Sequence, residues 1–401
     1  MNVLQINTVY PGGSTGRITA EIAAYTAQQA DAHALVAFGI GEEAKASRLT
    51  AYRIGSPLER KLHAIIRKIF DAEGYGSRCA ARRLIRLCKQ EHVDIVHLQN
   101  LHGCYLNLKI LFRFLQKSNL PVIWTLHDCW PMTGHCAHFS YIGCERWRTL
   151  CRKCPQKKEY PVCIGISGSK RNYRLKKRLF TSLHNLTIVA PCRWMQGIAG
   201  QSFLGNYPIR VIYNGVDVSF FKPTASDIRE RYGLESYKLL LAVASDWTER
   251  KGLYLLKELP KRLDDTYRLA IAGLTRAQIQ ALPANVIGIE HLSATELCAW
   301  YTAADCFVNP TLEDTMPLVN LEALACGTPI AVFDTGGCPE AVTADSGIVV
   351  EKGNIQGMAD AVKNICESQT DYTQACIRQA NRFSMHNTLK AYDALYREVM
   401  K

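Results

Sequence analysis

Short apolar runs of four or five residues recur along the chain. Between them lie longer stretches in which apolar residues return every three or four positions. The first pattern predicts buried strands and the second predicts helices. In the first half, strands are expected at 3–7, 34–38, 94–98, 122–126, 186–190 and 210–213. Helical patterns follow at 17 onward, 58–70, 78–90, 106–116, 170–182 and 193–203. A polar connection at 223–237 precedes a restart, with strands at 238–244, 268–272, 286–289, 305–309, 329–333 and 347–350. Helices are expected at 252–262, 295–303 and 318–325, and again toward the C-terminus. Strands that alternate with helices imply βαβ units and parallel sheets. The expectation is an α/β protein of two Rossmann-like, doubly wound domains. Ligands would sit in an inter-domain cleft, at the carboxyl ends of the strands. The expected boundaries are 1–205, with an irregular Cys-rich insert at about 129–165, then 206–385. A C-terminal helix at 386–401 is expected to pack back on the first domain.

Composition narrows the class. Hydrophobic residues make up 48% and charged residues 21% of the 401 residues, which excludes a disordered, collagen-like or coiled-coil chain. No run of about 18 uncharged apolar residues is present, so no spanning helix is expected. The start, MNVLQINTVYPGG, has no basic region before its apolar run and does not read as a signal peptide. A cytoplasmic protein is expected. The net charge of +12 is uneven: residues 1–205 hold 29 Lys and Arg against 12 Asp and Glu, whereas the remainder is acidic. A basic half suits an anionic partner, whether nucleic acid, a membrane surface or a phosphorylated substrate. The basic stretches 60–86 and 169–180 could lie on anionic lipid, and their few aromatics argue against stacking on single-stranded nucleic acid.

Several positions carry candidate chemistry. Gly12-Gly13-Ser14-Thr15-Gly16 follows the first strand and opens a helix, a place where backbone N–H groups meet anions. Its spacing is not that of a dinucleotide fingerprint, and a plain strand-to-helix turn explains it equally well. His127-Asp128 ends a strand, where an imidazole serves as acid, base or hydrogen-bond partner. His97 and His102 compete for that role. Arg250-Lys251-Gly252 places two cations beside an expected helix start, which suits phosphate. The stretch 311–322, TLEDTMPLVNLE, sets Glu313 and Asp314 in a loop and Glu322 inside an apolar helix, where a charge needs a partner. Gly336-Gly337 reads as another tight turn.

Sixteen cysteines are many for a chain expected in the reducing cytosol, and most read as small buried side chains. Cys136, Cys144, Cys151 and Cys154 stand apart. Their C-x7-C-x6-C-x2-C spacing contains one half-site typical of zinc and one unusual half. A structural zinc and a set of plain buried thiols are the two readings.

Taken together, VIYNGVD (211–217), ERKG (249–252), ELCAWYTAADCFVNPTLED (296–314) and LEALACGTPIAVFDTGGCPEAV (321–342) resemble the retaining nucleotide-sugar glycosyltransferases of family 4, which have the GT-B fold. Residues 124–155 resemble the matching segment of exopolysaccharide transferases of the colanic-acid kind. The resemblance implies a hexosyl-type transfer from a nucleotide-diphosphate sugar to a lipid-linked saccharide acceptor. The partners it implies include an anionic inner-membrane surface, which the enzyme would meet from its cytoplasmic face, and no nucleic acid.

It further implies that Arg250 and Lys251 hold the diphosphate and that Glu322 binds the ribose. Met316, Pro317 and Leu318 would line the donor site, and Gly12 and Gly13 would make room for the donor's diphosphate or for the acceptor. Glu313 or Asp314, with His127, would contact the donor sugar. Arg17 and His102 fall to the acceptor. Two departures stand out. The family's two glutamates eight apart become Asp314 and Glu322, with Glu313 one residue early. Asp246 occupies a place where many members carry Arg.

No cofactor is implied for catalysis, and the chain has no D-x-D metal clamp. Two alternatives remain from the residues: a zinc-bearing nucleic-acid-binding protein, and a sugar-nucleotide epimerase on the same fold.

Overall fold

All 401 residues are described by a computed structural model. The chain divides into two compact units. The first comprises Met1–Ile212 with Leu389–Lys401, and the second Tyr213–Thr388. No helix is long and apolar enough to cross a membrane.

The first unit is built on eight strands: β1 (Asn2–Tyr10), β2 (His33–Gly41), β3 (Ala44–Ala46), β4 (Leu49–Arg53), β5 (Ile95–Leu98), β6 (Val122–Thr125), β7 (Leu186–Ala190) and β8 (Ile209–Val211). Their order is β3-β4-β2-β1-β5-β6-β7-β8. All neighbours are parallel except β3 and β4. Buried parallel strands need apolar side chains on both faces, and β6 and β5 are buried throughout. The hairpin of β3 and β4 has no counterpart in the expected strands. β3 is an exposed Ala-Lys-Ala edge with no apolar pattern to mark it. β8 pairs with β7, so the chain leaves this unit at 212 rather than at 205.

The second unit has six strands: β9 (Lys238–Val243), β10 (Tyr267–Ala272), β11 (Val286–Ile289), β12 (Cys306–Asn309), β13 (Ile330–Phe333) and β14 (Gly347–Val350). They run parallel in the order β11-β10-β9-β12-β13-β14. Leu239, Leu240, Leu241 and Ala242 of β9 are wholly buried, as the central strand of such a sheet requires. The stretch 223–237, read above as a bare connection, carries a short helix, Ile228–Tyr232. Arg229 fastens it to this unit, with Nη2 donating to Asp305 at 2.6 Å and Nε to the Ala303 carbonyl at 3.0 Å.

Both sheets reverse their winding direction at one place, between β1 and β5 in the first unit and between β9 and β12 in the second. Crevices open at the carboxyl ends of strands on either side of such a reversal. The loops after β1, β5, β9 and β12 are therefore the ones to inspect.

The last long helix, Met385–Val399, ends in the first unit. There Tyr396 donates toward His97 Nδ1 at 2.7 Å, and Tyr392 and Thr125 share a hydrogen bond of 2.9 Å. His97 Nε2 meets Thr125 Oγ1 at 2.8 Å. Burial drives this imidazole's pKa down to about 3, so it is neutral. His97 thus ties β5 and β6 to the C-terminal helix and is closed off from any ligand.

Candidate active site

In the second unit the loop after β9 docks on the loop after β12. Glu249–Lys251 forms a single 3-10 turn, and the helix proper starts only at Leu253. Arg250 and Lys251 therefore precede the helix rather than occupy its first turn. Gly252 makes this possible. Its φ is +79°, and a Cβ there would lie 2.3 Å from the Pro310 carbonyl oxygen. The Leu312 amide donates to the Arg250 carbonyl at 2.8 Å, and Arg250 Nη1 donates to the Glu313 carbonyl at 3.3 Å. These bonds bring Lys251 into an ion pair with Asp314. Asp314 Oδ1 also accepts from the Thr315 amide at 2.8 Å. Of the two loop acids, Asp314 is the one whose carboxylate meets Lys251. Glu313 is 2% exposed, and its carbonyl holds the turn together.

The glycine turn after β13 closes on the same loop. Gly336 has φ +57°, and a Cβ there would lie 1.8 Å from the Asp314 carbonyl oxygen. The Gly337 amide donates to the Thr315 carbonyl at 2.8 Å. This pair does more than end a strand, because it supports the loop that carries Asp314.

Helix Leu318–Ala325 follows, with Pro317 as its N-terminal cap residue. Met316 and Pro317 are buried and Leu318 is half-buried. Its free amides and dipole favour an anion. Glu322 lies one turn in, and Tyr301 donates to its Oε2 at 3.0 Å. Burial, followed by the Glu322 charge, pushes the Tyr301 phenol well above its usual pKa, so it remains a donor. This partner answers the cost of a carboxylate in an apolar helix. Asn309 Nδ2 donates to Asn320 Oδ1 at 2.8 Å, which fixes the helix start to β12.

In the first unit, Gly12 and Gly13 open helix Gly13–Gln28 at the end of β1. Gly13 has φ +69°, Gly12 faces open space, and no side chain caps the helix. Arg17 is exposed on its second turn.

His127 lies just past β6, and its Nε2 is 2.6 Å from Gln99 Oε1. Gln99 is oriented by Nε2, which donates to Gln5 Oε1 at 3.0 Å. The Gln99 oxygen therefore accepts, and His127 carries its proton on Nε2. Burial drives the His127 pKa down to about 4. At neutral pH it presents Nδ1 as a bare acceptor and is not a cation.

His102, expected at the acceptor, is hydrogen-bonded through both ring nitrogens. Its Nε2 meets Asp128 Oδ2 at 2.7 Å and its Nδ1 meets Tyr160 Oη at 2.7 Å. Both ring nitrogens are occupied, so His102 braces the 127–130 turn. Burial pushes the Asp128 carboxyl up, but the charge and hydrogen bond of His102 outweigh it and hold the pKa at about 2. Asp128 also accepts from the Trp130 amide at 2.8 Å.

Sequence reasoning missed Gln99 and Tyr301. Gln99 follows β5 directly, where a polar residue ending a buried run was a usable signal. Nothing in the sequence pairs Tyr301 with Glu322.

Residues 12–220 match the family described as Glycosyltransferase Family 4, and residues 237–368 match the one described as Glycosyl transferases group 1. The chain belongs to glycosyltransferase family 4. This family 4 enzyme is similar over its whole length to the putative colanic acid biosynthesis glycosyl transferase WcaC of Escherichia coli. The two are 24% identical over 420 residues, with 100% of each chain covered. Among solved structures, sucrose-phosphate synthase from Thermosynechococcus elongatus superposes with a TM-score of 0.75 at 15% identity, covering 100% of this chain and 99% of that one. Anabaena Alr3699/HepE, solved in complex with UDP-glucose, gives 0.67 at 16% identity, covering 99% and 100%. The family 4 enzyme thus has the GT-B fold class.

Proposed function

We propose that the enzyme moves a hexosyl unit from a nucleotide-diphosphate sugar to a lipid-linked saccharide acceptor, with retention of anomeric configuration, in exopolysaccharide or cell-surface polysaccharide assembly. The observation that carries this reading is the joining of Arg250, Lys251 and Asp314 at the reversal point of the second sheet, with Glu322 in the helix that follows the same loop. Cations there suit a diphosphate, and carboxylates suit sugar and ribose hydroxyls. The name of the Escherichia coli relative supports the polysaccharide setting, and the UDP-glucose complex of the Anabaena protein supports the donor class.

In this mechanism Lys251 and Arg250 stabilise the negative charge that builds on the leaving diphosphate. Glu322 holds the ribose and Asp314 a hydroxyl of the donor sugar. His127 Nδ1, in the first unit, is given the role of accepting from a substrate hydroxyl. The acceptor oxygen attacks the anomeric carbon on the face the diphosphate leaves. The carbon–phosphate-oxygen bond breaks, the new glycosidic bond forms, and the acceptor proton passes to the departing phosphate oxygen. The protein's own cations supply the charge that a metal supplies elsewhere, so catalysis is proposed to need no metal.

A membrane-held acceptor fits the surface of the first unit. Helix Pro57–Phe70 exposes Leu58, Leu62, Ile65, Ile66 and Ile69, spaced along one face. Ile164 and Ile166 lie beside its end, bonded through their amides to the Lys68 and Ile69 carbonyls at 2.9 and 2.8 Å. They are 71% and 72% exposed, an apolar patch that water disfavours. Next to it runs a groove of about 910 Å3 lined by Lys109, Lys170, Arg171, Arg174 and Arg178. Apolar contact beside clustered cations is the chemistry of an anionic bilayer surface. The proposed location is the cytoplasmic face of the inner membrane.

The test is a panel of nucleotide sugars with a polyprenyl-diphosphate saccharide acceptor, run with and without EDTA, the product read by NMR. Retained configuration and EDTA-insensitive turnover are expected. An inverted product, or activity abolished by EDTA and restored by a divalent ion, would overturn the mechanism.

A further inference from the structure

Between Cys129 and Gly168 the chain holds forty residues whose regular structure amounts to two 3-10 turns, Trp130–Met132 and Arg146–Arg148. A segment that long without its own helices or strands is uncommon in a compact unit. Yet it buries Trp130, Cys136, Phe139, Trp147 and Cys163. Small irregular folds of this kind need a staple. None of the sixteen cysteines of the chain is in a disulfide, so no such bond supplies it.

The four cysteines singled out by spacing share one cavity wall. Cys136, Cys144, Cys151 and Cys154 line one cavity of about 10 Å3, room for a single small guest. Cys136 and Cys154 are within hydrogen-bond reach of each other. A second feature aims at the same space. His135 lines the cavity and is 2% exposed, and its Nε2 is buried with no partner. Its Nδ1 bonds Asp71 Oδ1 at 2.6 Å, the carboxylate–histidine pairing found behind metal sites. A buried polar atom without a partner needs an explanation, and a guest in the cavity provides one. The charge also fits. Four thiolates around a divalent ion carry a net −2, and Arg146 and Arg152 line the cavity.

We propose that this cavity binds one zinc(II) ion, whose tetrahedral ligands are drawn from the thiolates of Cys136, Cys144, Cys151 and Cys154 and from His135 Nε2. Each coordinating thiol releases its proton to solvent on binding. Tetrahedral thiolate coordination of a single divalent ion selects zinc. The ion staples the segment that carries Tyr160, the partner of His102, and so supports the 127–130 turn. A competing cluster, His63 with Glu73 and Cys104, does not qualify. His63 Nε2 already accepts from the Gly74 and Gly76 amides at 3.2 and 3.1 Å, and its Nδ1 meets Ser77 Oγ at 2.9 Å.

The test is elemental analysis of the full chain purified without chelator, with an organomercurial titration of the folded protein that follows zinc release. About one zinc per chain is expected, released as thiols are consumed. Cys154→Ser and Cys144→Ser should lose at least nine-tenths of it, whereas Cys79→Ser and Cys104→Ser should retain it. Cobalt(II) exchanged into the wild type should show thiolate-to-metal charge-transfer absorption, which does not depend on any variant folding. Less than a tenth of an equivalent of zinc would overturn the proposal. So would zinc lost in Cys104→Ser but kept in Cys154→Ser, iron in place of zinc, or cobalt bound without thiolate absorption.

Discussion

Gln99 Oε1 sits 2.6 Å from His127 Nε2 and fixes which nitrogen of that imidazole carries the proton. Because Gln99 is itself anchored by Gln5, the arrangement reads in one direction only. A polar residue at the end of β5 thus sets the chemistry of a residue at the end of β6.

Replacing Gln99 by Ala should lower kcat/KM about tenfold, since a hydrogen bond of roughly 1.4 kcal/mol is lost. Gln99→Glu makes the sharper prediction. A carboxylate beside His127 favours the imidazolium and should raise its pKa from about 4 into the assay range. The pH profile of kcat/KM, flat above pH 5.5 with respect to His127 in the wild type, should then show a new inflection. An unchanged profile in Gln99→Glu would refute the tautomer assignment.

The Lys251–Asp314 pair is part-buried and at the surface of the loop rather than in the core. Lys251→Ala should cut kcat by about 100-fold, as loss of a cation at a developing charge does. Asp314→Asn should act chiefly on donor selectivity. A double-mutant cycle on the two should show coupling above ~0.5 kcal/mol, because the side chains touch. Strict additivity would mean that they act separately.

His97 is neutral in the folded protein, with its pKa lowered from 6.5 to about 3. A histidine depressed on folding contributes stability that is present above its unfolded pKa and lost as pH falls below it. The first unit should lose about 2 kcal/mol between pH 7 and pH 5 on this account alone. His97→Gln should flatten that slope in urea titrations of the purified chain. A slope equal to that of the wild type would remove His97 as its source.

Membrane docking makes a separate prediction. Leu62→Glu with Ile66→Glu alters two exposed residues and should not disturb the core. Flotation with anionic liposomes should show salt-sensitive binding in the wild type and at least a fivefold loss in the double variant. Turnover of a water-soluble acceptor should be unchanged. Equal flotation of both proteins would displace the surface proposed for the membrane.

The two-sheet architecture was readable because buried parallel strands are continuous apolar runs, as in β9 and β12. The positions of Arg250, Lys251, Asp314 and Glu322 were readable from their spacing relative to strand ends. Pairings across long sequence separations were not. Tyr301 and Glu322 belong to different helices, and Gly336 supports Asp314 only because β13 lies beside β12. The partners of His102 were not legible either. A histidine near a strand end looks available until both of its nitrogens are found occupied. β3 escaped notice because an exposed edge has no hydrophobic signature.

Calorimetric titration of nucleoside diphosphates and their sugars into the wild type, Lys251→Ala and Glu322→Gln tests the donor site most directly. At least one nucleotide sugar should bind the wild type, and each substitution should weaken it tenfold or more without changing the fold. No nucleotide binding by the wild type, or the same affinity in all three proteins, would contradict the assignment.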